Sequence, residues 1–254
     1  MGLVWEATSA LKLYASYSEG YTVADVGRVL RAITAPGQRV DNLVDLQPVI
    51  ASNQEIGLDY DSGRWLVHLA AYWSDSDLGS RLAFDNATQS YNVVRERTEI
   101  NGIEGNVALR FSDAGRVGLA YATTDGRYDS NGDDRVDSDL PGINISPDRV
   151  TGFWEQTWTA AVSTRLQASH SLDREFDLRG TQVASFDGYT TVDLQASFQL
   201  PLGALNVGIE NLFGEQYITY YSQTSYPPNT LTPVTDDYFA GRGRVLSVNW
   251  SHHF

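Results

Sequence analysis

The chain has 254 residues, a formal net charge of −14 and no cysteine. The acidic balance and a single lysine, Lys12, exclude the basic surface that nucleic-acid binding requires, because affinity there comes from cations neutralising phosphates. The lack of cysteine excludes a disulfide framework, a thiolate metal centre and a cysteine nucleophile, and no apolar run reaches the ~18–20 residues of a membrane helix.

The opening residues, Met1-Gly2-Leu3-Val4-Trp5-Glu6, carry neither the basic start nor the apolar stretch of a signal peptide. From there the dominant pattern is alternation with period two, which sends successive side chains to opposite sheet faces. It predicts about eleven strands, at 2–6, 10–19, 51–61, 64–85, 88–112, 115–127, 148–157, 160–173, 186–199, 203–222 and 243–254. In the second, Leu11, Leu13, Ala15 and Tyr17 alternate with polar Lys12, Ser16 and Ser18. In the fourth, Trp65, Val67, Leu69, Ala71 and Trp73 share a face opposite His68 and Ser74. Later strands repeat the pattern: Val192, Leu194, Ala196 and Phe198 against Asp193, Gln195 and Ser197, and Leu246, Val248, Trp250 and Phe254 against Ser247, Asn249 and Ser251.

Alternation alone fits any antiparallel sheet, including a soluble jelly roll or propeller. Two features favour a membrane barrel. Trp65 and Trp73 bracket one apolar face eight residues apart, or ~26 Å at ~3.3 Å per residue, close to the ~25 Å apolar band with aromatic girdles of a transmembrane barrel. The connections also alternate in length. Short ones are expected at 7–9, 61–63, 112–115, 156–159 and 201–203, and long polar ones at about 20–50, 128–148, 174–187 and 223–242. The chain finishes in mid-strand on an aromatic, through Val248, Trp250 and Phe254.

Five segments in order resemble the TonB-dependent outer-membrane receptors. They are Leu13-Tyr14-Ala15-Ser16-Tyr17-Ser18-Glu19-Gly20-Tyr21, Asn53-Gln54-Glu55-Ile56-Gly57-Leu58-Asp59-Tyr60, Leu140-Pro141-Gly142 with Pro147, Glu210-Asn211-Leu212-Phe213-Gly214-Glu215-Gln216-Tyr217, and Gly241-Arg242-Gly243-Arg244 leading to Phe254. The resemblance implies an all-β, antiparallel transmembrane β-barrel of 22 strands. These eleven would form its second half, open in isolation. The plug domain, the energy-coupling box and the first barrel half would lie outside residues 1–254. It implies uptake of a ferric siderophore or similar nutrient across the outer membrane of a Gram-negative bacterium, with iron as cargo, no cofactor and no catalytic residue. The partners it implies are the TonB energy-transducing complex, acting through the plug, and outer-membrane lipid. Val248, Trp250 and Phe254 resemble the signal that the barrel-assembly machinery reads. Tyr217–Gln223 together with Gly241–Arg244 most resembles receptors for citrate-hydroxamate siderophores. Two other readings stay open: a passive porin of about twelve strands, which needs 2–6 to pair with 243–254, and a soluble all-β ligand-binding domain.

The long connections hold the candidate chemistry. Asp129, Asn131, Asp133 and Asp137 stand at positions 1, 3, 5 and 9 of an EF-hand-like spacing, but position 12 is Leu140 and the glycine, Gly132, comes at position 4 instead of 6. The stretch is read either as a Ca²⁺ loop or as a solvated acidic loop. Arg28, Arg31, Arg39, Arg179 and Arg242, with Tyr226 and Tyr238, offer forked donors and aromatics suited to carboxylate or hydroxamate oxygens. The competing reading pairs these arginines with loop aspartates or lipopolysaccharide phosphates. His68, His170, His252 and His253 are too dispersed for a metal site. His170 and its neighbours Ser169 and Ser171 point to opposite faces, which defeats a Ser–His pair.

Overall fold

The computed structural model describes residues 1–22, 49–85, 90–224 and 239–252. The strands are β1 (Gly2–Glu6), β2 (Leu11–Thr22), β3 (Val49–Asp61), β4 (Trp65–Asp85), β5 (Ser90–Ser112), β6 (Gly115–Tyr128), β7 (Ser138–Asp139), β8 (Arg149–Thr159), β9 (Val162–Ser171), β10 (Arg174–Leu178), β11 (Thr181–Phe186), β12 (Tyr189–Leu200), β13 (Gly203–Glu210) and β14 (Val245–Ser251). One short helix, α1 (Tyr220–Thr224), precedes β14. Among the described residues all strands belong to one sheet, and every pairing is antiparallel.

Eleven strands form the wall, in the order β1-β2-β3-β4-β5-β6-β8-β9-β12-β13-β14. They correspond one for one to the eleven expected from alternation. Among the described residues β1 pairs only with β2 and β14 only with β13, so the wall is open at both edges and does not close on itself. The remaining strands form an annex: β10 pairs with β11 and β7, and β7 also pairs with the end of β6.

Register makes each face of the wall continuous. On one, Leu13, Leu58 and Leu69 face one another across β2, β3 and β4, Val67, Val107 and Leu119 across β4, β5 and β6, and Phe198, Leu205 and Trp250 across β12, β13 and β14. This outer face is bare: Leu69 is 46%, Leu119 50% and Val248 64% exposed. In a sandwich such a face packs on a second sheet about 10 Å away. Among the described residues no second sheet covers it, and an apolar surface this continuous calls for lipid or another apolar partner. Trp65 and Trp73 both lie on it, exposed.

The opposite, inner face is polar and laced by cross-strand contacts. Lys12 pairs with Glu6 at 3.3 Å, Tyr14 donates to Glu55 at 2.8 Å, and His68 Nδ1 lies 2.7 Å from Asp59. Tyr72 on β4 crosses Gly102 on β5 to reach Thr124 Oγ1 on β6, 2.6 Å away. At the ends, tight turns such as Ser62–Arg64 close the hairpins. There Gly63 takes φ 78°, which glycine adopts without steric cost, while its N–H donates to Asp61 Oδ1 at 2.7 Å.

Three expectations about boundaries need correction. The strand expected at 203–222 stops at Glu210, because Asn211 enters the left-handed region (φ 49°) and the chain turns away. The turn expected at 156–159 falls at Ala160–Ala161, since the ladder continues through Thr157 and pairs Thr159 with Val162. The connection expected at 174–187 is instead a hairpin, β10–β11, whose two turn residues Arg179 (φ 50°) and Gly180 (φ 77°) both have positive φ, as a type I′ turn requires.

Candidate functional site

Five short connections cluster at one end of the wall, and the long ones at the other. Among the described residues, the long-loop end is where a hydrophobic core sits. Tyr128, Leu140, Ile145, Phe176 and Phe186 are buried together, with Leu178, Val183, Tyr189 and Tyr220 packed around them. Phe186 meets Tyr220 edge to face at 4.8 Å and Tyr189 at 6.0 Å. The wall needs no such core, because its apolar side faces outward. The loops do need one, because otherwise nothing would order them.

Polar staples complete the platform. Arg174 is 14% exposed and donates from Nη1 to the carbonyls of Thr124 (2.8 Å) and Ser146 (3.2 Å) and from Nη2 to Asp125 (3.2 Å), with its guanidinium over the Phe176 ring. Tyr220 donates to the Ile145 carbonyl at 2.8 Å, and burial pushes its hydroxyl pKa up to about 12. Gln223 accepts from the Asp187 N–H at 3.0 Å and donates to the Ile218 carbonyl at 2.9 Å, tying α1 to the start of β12. At the foot of this connection Asn211, buried, accepts from the Glu215 N–H and donates to the Glu215 and Arg242 carbonyls. Its own N–H donates to Asp193.

The acidic stretch is a self-capped turn at the edge of this platform. Asp129 Oδ1 accepts the N–H groups of Asn131 and Gly132, and Oδ2 that of Asp134 at 2.7 Å. Asn131 Oδ1 accepts from Asp133 N–H, Asp133 Oδ1 from Arg135 N–H, and Asp137 Oδ1 from Ser130 N–H and the Ser138 hydroxyl. Among the described residues no group of three or more His, Cys, Asp or Glu is placed to hold a metal ion. Burial pushes the Asp129 carboxyl up, but the backbone N–H groups that it accepts outweigh this and hold it below the ordinary carboxylate range. A carboxylate depressed in the fold stabilises it fully above the unfolded value of ~3.9 and loses that contribution as pH falls through the lower folded value. Amide protection at Asn131, Gly132 and Asp134 is therefore expected to be high at neutral pH and lost in acid. Protection that stays at its neutral-pH level well below ~3.9, where the carboxyl is protonated in the folded state too, would contradict it.

The arginine candidates are scattered. Arg179 sits at the tip of β10–β11, exposed. Its N–H donates to Ser138 Oγ at 3.2 Å. Burial pushes the Asp137 carboxyl up, but hydrogen bonds from Ser130 and Ser138, helped by the Arg179 charge, hold it below the ordinary carboxylate range. Arg242 lies 3.7 Å from Glu210 and is 79% exposed. Arg28, Arg31, Arg39, Tyr226, Tyr238 and Phe254 lie outside the described residues. Val248 and Trp250 point outward on β14. His170 lies on the outer face near the long-loop end, 2.9 Å from Thr190 Oγ1.

Single-residue patterns did not point to two groups. Arg174 stands in a stretch expected to be loop. The inner-face cluster of Arg116, Glu155 and Arg165, with the two guanidiniums over Phe153 at 5.6 Å and 4.5 Å, depends on the register of three strands, β6, β8 and β9.

Comparison with known proteins agrees with this architecture. The family model described as TonB dependent receptor-like, beta-barrel matches residues 1–212. The chain is 30% identical over 267 residues to the ferric aerobactin receptor of Escherichia coli, covering 98% of this chain and 34% of that protein. It is 25% identical over 268 residues to the rhizobactin receptor of Rhizobium meliloti (strain 1021), covering 100% and 34%. It thus spans about a third of the length of the curated relatives it matches. Among solved structures, the copper transporter OprC aligns with a TM-score of 0.76 at 14% identity, over 97% of this chain and 38% of that one. The ferric citrate transporter FecA in its unliganded form aligns with a TM-score of 0.68 at 15% identity, over 97% and 36%. An open wall with an apolar outer face and a polar inner face, matched along most of its length, places the chain in the TonB dependent receptor-like β-barrel family, whose members are receptors and transporters, not enzymes.

Proposed function

We propose that residues 1–254 are the C-terminal part of the barrel of an outer-membrane receptor for energy-dependent uptake of a ferric siderophore. The observation that carries this is the two-faced open wall, joined to 30% identity with a ferric aerobactin receptor over nearly the whole chain. The outer face would meet lipid, the inner face an aqueous lumen, the short turns the periplasm and the loop platform the exterior. Iron enters as cargo. The TonB complex would act through a plug outside this segment, and Val248, Trp250 and Phe254 would be read by the barrel-assembly machinery. The ligand-facing residues would be Arg28, Arg31, Arg39, Arg179, Tyr226, Tyr238 and Arg242.

Uptake of radiolabelled ferric aerobactin by iron-starved cells making the complete receptor tests the reading directly. No uptake above receptor-less cells, for this or any other siderophore tried, would refute it. Replacing Arg179 and Arg242 together with Ala is expected to weaken ferric-siderophore binding about tenfold, the equivalent of one charge-assisted hydrogen bond. Unchanged affinity would remove both from the site.

The acidic loop takes a structural part in this scheme. Both oxygens of Asp129 already accept backbone N–H groups, and Leu140 supplies no carboxylate at position 12. Titration with Ca²⁺ up to about 1 mM, the range of extracellular calcium modules, is expected to give no saturable heat. A saturating isotherm that disappears in Asp129→Ala would instead make the loop a calcium site.

A further inference from the structure

The buried core at the long-loop end lies on the inner side of the wall. Register puts Ile100 on β5, Gly126 and Tyr128 on β6 and Tyr189 on β12 on the same face as Tyr72 and Glu155. Tyr128 belongs to the core, and Ile100 and Tyr189 pack against it. A Cβ at Gly126 would lie 2.5 Å from the Ile145 side chain and 2.7 Å from Leu140, so the connection after β6 is pressed onto the inner face there. The Tyr217 ring stacks on Tyr189 at 3.9 Å, which lays the connection after β13 on the same side. The hairpin β10–β11, after β9, brings Phe176 and Phe186 into the same core. The three connections thus meet over the inner face.

They interlock with each other. Ser138 stands opposite Leu178, and the Asp177 N–H donates to Asp139 at 2.9 Å, which joins the connection after β6 to β10. A Cβ at Gly142 would lie 2.3 Å from the Thr224 Cβ, so α1 sits on the 141–145 turn without room for a methyl group. Ser138 and Ser222, on separate connections, are 0% and 1% exposed. Arg174 closes the remaining seam. The β6–β8 ladder ends at Ala122–Arg149, and Arg174 donates to the Thr124 carbonyl two residues beyond it. Segments that open in function come from the low-stability end of a structure, with few buried contacts. Lifting any one of these connections would expose the shared core and strip Arg174 of its carbonyl and carboxylate partners, which leaves polar groups unpaired.

We propose that the connections after β6, β9 and β13 form a fixed roof over the inner face between β5 and β12, which stays shut throughout uptake, so that cargo enters beside it. The roof then sets the width of the entrance on this side without a moving part. Every contact that holds it lies within this segment. The passage of cargo rests on the uptake reading, whereas the closure of the roof does not.

Thiol labelling of the complete receptor in cells tests it, with each introduced thiol read on its own peptide by mass spectrometry. Ser138→Cys and Ser222→Cys each place a sulfhydryl in a closed seat of the roof with little change of shape, and these 254 residues contain no other cysteine. Thr181→Cys, exposed beside the β10–β11 turn, is the open reference. A bulky, charged maleimide is expected to react with the reference at least about a hundredfold faster than with either buried position, because reaction there waits on local opening. The ratio should hold at rest and while the cells take up ferric aerobactin. A smaller ratio for Ser138→Cys or Ser222→Cys in folded receptor, at rest or only during uptake, overturns the proposal. Heat-modifiable mobility shows which variants fold, and either serine position alone suffices for the comparison. Cells that take up no siderophore would remove the uptake reading, while the rates at rest still decide whether the roof is shut.

Discussion

Replacing Gly102 with Val is expected to destabilise the wall by about 1–3 kcal/mol, although valine is by propensity the better strand residue. Valine's propensity gain over glycine is at most ~1 kcal/mol. Against it stands the space. A Cβ at Gly102 would lie 2.4 Å from the Tyr72 hydroxyl and 2.5 Å from the Thr123 carbonyl oxygen. The ring could swing into the lumen, giving up its 2.6 Å hydrogen bond to Thr124 for about 1 kcal/mol. The carbonyl belongs to the neighbouring strand and cannot move without distorting the β5–β6 ladder, an overpacking cost of ~1–3 kcal/mol. Gly57 separates the two contributions. There the three atoms nearest a Cβ all belong to the movable Tyr14 side chain, at 2.4–2.6 Å, so Gly57→Val should cost less than Gly102→Val. Gly152, where the nearest atoms are 3.9 Å away, should accept Ala with little change. Urea titration of the folded, heat-modifiable band of the complete receptor would rank the three. Equal midpoints for Gly102→Val and Gly152→Ala would show that luminal aromatics do not need their glycine seats.

The same seats show what sequence could and could not supply. Alternation located all eleven wall strands, β4 to within one residue at its start, because period two is a property of a single strand and needs no partner. Pairings are properties of two strands. That Tyr72 lies over Gly102, or Arg116 over Glu155, follows only from register, and register turns on where each hairpin bends. The β8–β9 turn was expected two to three residues early. That shift takes Glu155 away from Arg165 and dissolves the charged row, although all of its residues stand in predicted strands. At Glu210 the opposite error occurred. The apolar residues after it extend the alternation, but Asn211 offers side-chain hydrogen bonds to Glu215 and Arg242 that compete with the ladder and win. Asn211 and Gly214, both at positive φ, were the available signals. At Arg179-Gly180 the turn pair was likewise in view, inside a stretch too polar to suggest strands.

The loop platform should fail as a unit, and Phe186 is the residue on which it turns. It is 1% exposed, meets the Tyr189 and Tyr220 rings, and shares one buried cluster with residues from the β6 end, the following connection and β10. Truncation to Ala removes most of a buried ring from a site whose walls come from separate loops, each tied elsewhere by Arg174, Tyr220 or Gln223. The loops cannot all collapse inward to fill the gap, so the cost should reach the ~3–5 kcal/mol typical of Phe→Ala in a packed core. Phe186→Leu, which keeps most of the volume, should cost ~1 kcal/mol. The wall does not share this core: β8, β9 and β12 are held by their own ladders and by the medium on their outer face. Hydrogen exchange of Phe186→Ala in the complete receptor is therefore expected to rise in segments 129–148, 174–187 and 217–224 while β8, β9 and β12 stay protected. Under the proposed uptake function, ferric-siderophore capture should weaken with it, because ordering the loops would then count against binding. Unchanged protection in those three segments, or a uniform loss across the wall, would show that the loops and the barrel do not divide at this core.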